Sequence, residues 1–207
     1  MKAELRRDLL ARRCSLSPEE NAVKSKRIAS KLLGLPEFGT SRTVFIYSAT
    51  GSEVKTESVM LTALKLGKRV AVPAIDLSGR LLRPVLISDP ARELDDRCRG
   101  CPQPPPGSCV EVPAEEVDLA VVPGVGFDGR GARLGRGGGY YDEFLGHWPR
   151  IFRVALAFQC QIVDRLPVSG HDQPIDVLIT ENRVVRIRPP RLPMVYQEEP
   201  LTTEKGS

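Results

Sequence analysis

Eight of the chain's 18 glycines fall in one stretch, Pro123 to Asp142, which reads PGVGFDGRGARLGRGGGYYD. Glycine loses more backbone entropy on ordering than any other residue, so a cluster this dense points to backbone that must approach a ligand or take up positive φ. The run leading into it, Val117 to Pro123 (VDLAVVP), is apolar enough for a strand buried on both faces, and Tyr140 to His147 behind it reads as a helix. Successive amides of such a loop can cradle phosphate oxygens. The guanidinium forks of Arg130, Arg133 and Arg136 add charge-assisted bonds, and the helix starting near Tyr140 presents its positive end. The competing reading is a flexible surface hairpin.

The rest of the chain alternates between the two periods expected of an open α/β sheet. Thr43 to Tyr47 (TVFIY) and Arg69 to Ile75 (RVAVPAI) read as strands on either side of a helical stretch, Thr56 to Leu66, that Gly67 stops. Strand, helix and strand at this spacing form a βαβ unit, so a mostly parallel sheet flanked by helices is expected. Leu81 to Ile87, Arg153 to Phe158 (RVALAF), Ile175 to Thr180 (IDVLIT) and Val184 to Ile187 supply further strands, with Glu181-Asn182 turning the last pair. Residues 2 to 13 place Leu5, Leu9 and Leu10 on one helical face and spread Lys2, Arg6, Arg7, Arg12 and Arg13 over the remainder. Ser17-Pro18-Glu19-Glu20 carries the cap signals of a second helix, which holds Ile28, Leu32 and Leu35 on one face and ends near Gly34. Cys98 to Pro113 reads as a surface loop. Residues 1 to 188 are expected to form one domain, followed by a loosely held tail, 189 to 207.

Charge and cysteine usage narrow the class. Thirty basic against 26 acidic residues give a net charge of +4, enough to help attract anionic small molecules but short of a polycationic nucleic-acid binder. A single Arg136-Gly137-Gly138 triplet inside an ordered-looking block is a weak signal for RNA, so no nucleic-acid partner is expected. The five cysteines, Cys14, Cys98, Cys101, Cys109 and Cys160, are odd in number and irregularly spaced, unlike a disulfide framework. Cys98, Cys101 and Cys109 fall short of a four-ligand zinc site. No apolar run approaches the roughly 20 residues that span a bilayer, and the charged start has no apolar core of a signal peptide. These features lead to the expectation of a cytoplasmic protein acting on small molecules, without membrane attachment; a monomer is expected, although none of them bears on oligomeric state.

Two familiar phosphate motifs do not apply. Gly124 to Gly129 formally matches G-x-G-x-x-G, but more glycine follows where a dinucleotide fold needs a helix, and no G-x-x-x-x-G-K-[ST] sequence is present. Four segments instead resemble the 5-formyltetrahydrofolate cyclo-ligase family in order and spacing: the basic start with Lys2 and Arg6, YSATGSEVKT from Tyr47 to Thr56, the PG-x-GFD-x-x-G-x-RLG-x-G-x-GYYD block, and LPVSGHDQPIDVLIT. The similarity runs from Lys2 to about Glu181. It implies an open α/β sheet similar to the sugar-phosphate isomerase and CoA-transferase group. It also implies an enzyme that uses ATP and magnesium to close 5-formyltetrahydrofolate into 5,10-methenyltetrahydrofolate, releasing ADP and phosphate.

By that resemblance ATP is contacted by Lys2, Ala3, Glu4, Leu5 and Arg6 and by the run Arg133, Leu134, Gly135, Arg136, Gly137, Gly138, Gly139, Tyr140 and Tyr141. Ser48 and Glu53 face the folate together with Arg136 to Tyr140; Asp142 and Asp176 carry the magnesium; Lys2 and Arg136 stabilise the transferred phosphoryl group. The chemistry suits these residue types. Lys2 and Arg6 are one helical turn apart and can reach one triphosphate, and magnesium held partly by phosphates needs only one or two carboxylates. Gly138 stands where some family members have lysine, and Tyr47 to Glu53 lacks a proline that many members place after the tyrosine. A non-catalytic folate- or nucleotide-binding relative is the alternative reading.

Overall fold

The apolar runs of the sequence become the centre of a seven-stranded sheet. In the computed structural model, which describes residues 1–76, 81–94, 103–105 and 110–187, the strands are β1 (Thr43–Ile46), β2 (Arg69–Asp76), β3 (Leu81–Ile87), β4 (Leu119–Val122), β5 (Gly126–Asp128), β6 (Arg133–Leu134), β7 (Phe152–Leu156), β8 (Ile162–Val163), β9 (Val177–Ile179) and β10 (Val184–Arg186). The helices are α1 (Lys2–Cys14), α2 (Pro18–Leu33), α3 (Pro36–Thr40), α4 (Glu57–Lys65), α5 (Pro90–Glu93) and α6 (Tyr140–His147). The main sheet runs β10-β9-β7-β4-β1-β2-β3, with β9, β7, β4, β1 and β2 parallel and only the edge strands β3 and β10 antiparallel. The expected mostly parallel α/β sheet is therefore present.

Alternating side chains divide the sheet's apolar residues between two cores. Val44, Ile46, Leu119, Val121 and Val154 face α2, α3 and α4, packing with Ile28, Leu32, Phe38, Val59 and Met60. Phe45, Ala120, Val122 and Ala155 face the other way and pack with Phe144 and Leu145 of α6. Burying one large side chain such as Phe45 contributes about 1.5–3 kcal/mol, so strands buried on both faces hold the sheet's middle in one register. The predicted capping box of α2 is formed: Glu20 N donates to Ser17 Oγ at 3.1 Å and Ser17 N to Glu20 Oε2 at 2.9 Å.

The structure departs from the sequence reading in several places. Part of the glycine block is not loop: β5 pairs antiparallel with β6 and parallel with β8 in a small second sheet. The buried Asp128 organises that turn, its Oδ1 accepting from Arg130 N and Ala132 N and its Oδ2 from Leu166 N. Helices α3 and α5 are single turns begun by proline, too short to leave a helical period. Arg13, expected on the solvated side of α1, is buried. Among the described residues no helix is long and apolar enough to cross a membrane. The Cys98, Cys101 and Cys109 loop and the tail 189–207 lie outside the described residues.

Strand order fixes where a ligand would enter. From β1 the chain passes through α4 to β2 on one side, whereas β4 returns to pair with β1 on the other. The loops leaving the C-terminal ends of β1 and β4 therefore diverge from neighbouring strands and leave a crevice between them, the usual ligand position in an open parallel sheet. Helix α1 closes one side of it. Its Leu9 packs with Val125, Leu134 and Leu166, and a Cβ on Gly126 would stand 2.4 Å from Leu9 Cδ1, so only glycine lets the helix lie this close to β5.

Candidate active site

The crevice is a cavity of about 390 Å³ at the C-terminal ends of β1, β2 and β4. Helix α1 contributes Lys2 and Arg6, residues 47–56 contribute Tyr47, Ser48, Thr50 and Glu53, and the glycine block contributes an unbroken wall from Arg133 to Asp142. The cavity thus gathers both cations of the basic start, Ser48, Glu53 and the predicted run from Arg133 to Asp142, whereas Arg130, also expected to bind phosphate, is exposed and lies outside it. Ala3 and Glu4 are exposed and Leu5 packs against the α1 core; none of the three lines the cavity.

One side of the cavity is cationic. Arg6 donates through Nε to the Gly135 carbonyl at 2.8 Å. Lys2 Nζ reaches Asp172 Oδ2 at 2.7 Å and Ser169 Oγ at 2.9 Å, tying the start of α1 to the 169–172 turn. Burial works to raise the Asp172 carboxyl, but the Lys2 ammonium and the Ser169 amide outweigh it and hold the group below its ordinary value. Gly139 caps α6 at φ 76°, a left-handed conformation that a side chain would strain, so the positive end of α6 begins at the cavity wall.

Beneath that side lies Arg133, only 7% exposed. Its Nη1 donates to the Pro123 carbonyl at 3.2 Å and its Nη2 to Asp142 Oδ1 at 2.7 Å, while its guanidinium stands 5.8 Å from the centre of the Tyr141 ring. Gln173 N also donates to Asp142 Oδ1, at 3.0 Å. Two donors thus orient one oxygen of Asp142, and among the described residues no hydrogen bond is recorded to Oδ2 of this cavity-lining carboxylate. A hard divalent cation that brings phosphate and water ligands of its own fits such an oxygen. Asp176 is placed differently. It precedes β9 at the N-terminal end of the strands, is 1% exposed, accepts from Arg153 N at 2.9 Å, and does not line the cavity. The two predicted metal carboxylates are therefore not brought to one wall.

The other side carries a buried carboxylate. Glu53, 6% exposed, accepts from Thr50 N at 3.0 Å and Thr50 Oγ1 at 3.2 Å on Oε2, and from Arg136 Nη2 at 2.7 Å on Oε1. Arg136 also donates to Thr50 Oγ1 at 2.6 Å, yet its side chain remains 53% exposed. Arg13 Nη1 lies 3.8 Å from Glu53 Oε1. Tyr47 anchors the loop by donating to the Val54 carbonyl at 3.1 Å; burial first, and then the Glu53 charge, push its hydroxyl well above the ordinary value, so it stays a neutral donor.

Sequence reasoning missed Arg13, Thr50 and Asp172. Arg13 had a readable signal: Lys2, Arg6, Leu9 and Arg13 follow an i, i+4, i+7, i+11 spacing and share one stripe of α1. That stripe runs along the glycine block, from Arg13 beside Gly124 through Leu9 at Gly126 to Arg6 at Gly135. Thr50 and Asp172 sit in loops and meet Arg136 and Lys2 only across the fold, which leaves no periodic trace in the sequence.

Comparison with known proteins agrees with this geometry. The model of the 5-formyltetrahydrofolate cyclo-ligase family matches residues 1–181. The 5-formyltetrahydrofolate cyclo-ligase of Escherichia coli (strain K12) is 30% identical over 177 residues, covering 84% of this chain and 96% of that protein. The mouse (Mus musculus) 5-formyltetrahydrofolate cyclo-ligase is 30% identical over 190 residues, covering 87% and 94% respectively. The solved structure of Aquifex aeolicus 5,10-methenyltetrahydrofolate synthetase superposes with a TM-score of 0.78 at 35% identity, covering 96% of this chain and 99% of that one. With the matched segments folding into one crevice, the chain belongs to the 5-formyltetrahydrofolate cyclo-ligase family of enzymes.

Proposed function

We propose that this enzyme uses ATP and magnesium to convert 5-formyltetrahydrofolate into 5,10-methenyltetrahydrofolate, with release of ADP and phosphate. The observation that carries the reading is the 2.7 Å contact between Arg136 and Glu53, where a phosphate-seeking wall and a buried carboxylate meet in one cavity. A folate formyl group and a nucleotide's terminal phosphate must meet in the same way. Relatives named as 5-formyltetrahydrofolate cyclo-ligases and as a 5,10-methenyltetrahydrofolate synthetase support the folate half of that pair.

The formyl group is a neutral amide, so its carbonyl is a poor electrophile and its oxygen cannot depart as hydroxide at neutral pH. Attack of the formyl oxygen on the γ-phosphorus forms an oxygen–phosphorus bond while the bond to ADP breaks, and ADP leaves with the electron pair. The lone pair of the nitrogen at position 10 then closes the ring on the activated carbon; phosphate departs and that nitrogen loses its proton to solvent. Lys2, Arg6 and Arg136, with amides of residues 135–139, stabilise charge on the transferred group, so positioning and electrostatics do the catalysis without a nucleophilic side chain. Glu53 accepts hydrogen bonds from pterin N–H groups, and Ser48 adds a hydroxyl to the same wall. Magnesium, when bound, neutralises phosphate charge; Asp142 is the carboxylate suited to hold it, and Asp176 serves the sheet through Arg153 N.

In the test, the purified enzyme is given ATP, magnesium and 5-formyltetrahydrofolate while ADP and methenyl absorbance are followed together. ADP release that requires both folate and magnesium, with equal methenyl formation, is expected. ATP turnover without that product rejects the assignment.

A further inference from the structure

Arg13 is 4% exposed and does not line the cavity, so it meets neither substrate directly. Its guanidinium nevertheless joins the three pieces of chain that frame the crevice. From α1 it donates through Nε to Ser52 Oγ at 3.0 Å and through Nη1 to the Gly124 carbonyl at 3.5 Å, and Nη1 lies 3.8 Å from Glu53 Oε1. Ser52 and Glu53 follow β1, and Gly124 follows β4. Three fixed partners set the plane of the fork, and burial keeps its charge poorly screened.

Glu53 has a second cation, Arg136, at 2.7 Å. The two guanidinium groups differ in freedom: Arg136 is 53% exposed on the glycine block, whereas the Arg13 side chain is 5% exposed and packed in place. If Arg136 turns to the nucleotide's terminal phosphate, Glu53 loses its nearest counter-ion while remaining buried. A buried carboxylate stripped of cations is strongly unfavourable, so a second, immobile cation is needed if Glu53 is to stay in place for the pterin.

We infer that Arg13 is a positioning residue that holds the Glu53 carboxylate for the folate while Arg136 is engaged with the nucleotide. This rests on the reading above, in which Arg136 serves the phosphates and Glu53 the pterin. The competing role is a tether for α1. The two roles separate cleanly because α1 also carries Lys2 and Arg6: a slackened helix would weaken nucleotide binding, whereas a misplaced Glu53 would weaken folate binding alone.

The experiment measures KM for each substrate, with the other saturating, in the wild type, Arg13→Gln and Arg13→Lys. Arg13→Gln is expected to raise KM for 5-formyltetrahydrofolate about tenfold, the size of one lost charge-assisted bond, with KM for ATP within about twofold of wild type. Arg13→Lys restores the charge but not the fork, and is expected to recover part of the folate affinity. An equal rise in both KM values, or no rise for the folate, overturns the inference. Should Arg13→Gln fail to fold by circular dichroism, Arg13→Lys carries the same comparison with a smaller folate-only effect. A wild type that makes no methenyl product overturns the proposed function itself; an active wild type whose variants lose both affinities together overturns only the role of Arg13.

Discussion

Adding one methyl group at Gly126 tests how α1 is seated. The Cβ of Gly126→Ala would lie 2.4 Å from Leu9 Cδ1, whereas carbon atoms pack at about 3.5–4.0 Å, so more than 1 Å must be recovered by roughly this difference. Leu9 is fully buried against Val125, Leu134 and Leu166 and has no open side to turn towards. Overpacking of this kind costs about 1–3 kcal/mol. At about 2–4 °C per kcal/mol for a chain of this size, Tm should fall by roughly 2–12 °C. Because α1 carries Lys2 and Arg6 into the cavity, KM for ATP should rise in the same variant. Leu9→Ala alone should cost about 2–5 kcal/mol through the cavity it leaves, but in that background Gly126→Ala should be nearly neutral. Thermal melting of the four proteins in a double-mutant cycle measures the coupling, expected at about 1–3 kcal/mol. A Gly126→Ala protein that melts with the wild type, or a cycle additive to within about 0.5 kcal/mol, would refute the close approach of helix and strand.

Further outcomes follow from the cavity's two sides. Arg136→Ala should lower kcat by about 10²–10³ and, because Arg13 remains beside the buried Glu53, should lower the melting temperature only modestly; steady-state kinetics beside a melting curve checks both. Asp142→Asn should raise the magnesium concentration needed for half-maximal rate, read from a metal titration, and should destabilise the protein by about 1–3 kcal/mol because buried Arg133 loses its charged acceptor. The Asp172 carboxyl is held below its unfolded value, so the stability it contributes is present at neutral pH and is lost as pH falls through the lowered folded value, below about pH 4. Wild type and Asp172→Asn should therefore differ in Tm at pH 7 and converge in strong acid; a gap that persists there would contradict the sign.

Much of this fold was legible because its strands are buried on both faces. β1 and β4 read as short apolar, β-branched runs and β7 as an apolar run interrupted only by Arg153, and α6 was bounded by glycine on one side and the end of its period on the other. β5 and β6, at three and two residues, are too short to carry a period, and their pairing depends on the buried Asp128, a polar residue that sequence patterns assign to turns. The cavity's residue types were legible in the glycine block, but their roles needed three dimensions. Arg13 reads as one more solvated charge on a basic helix until Glu53 and Gly124 are brought beside it. Asp176 reads as a candidate ligand until the strand direction places it at the end of the sheet away from the cavity.

The most direct measurement is a crystal structure of the enzyme with a non-hydrolysable ATP analogue and 5-formyltetrahydrofolate together. Density for the terminal phosphate between Arg6 and Arg136, with the pterin on Glu53, is expected in the crevice between β1 and β4. A nucleotide seated anywhere else, or residues 133–142 ordered around neither ligand, would contradict the assignment of this cavity as the catalytic site.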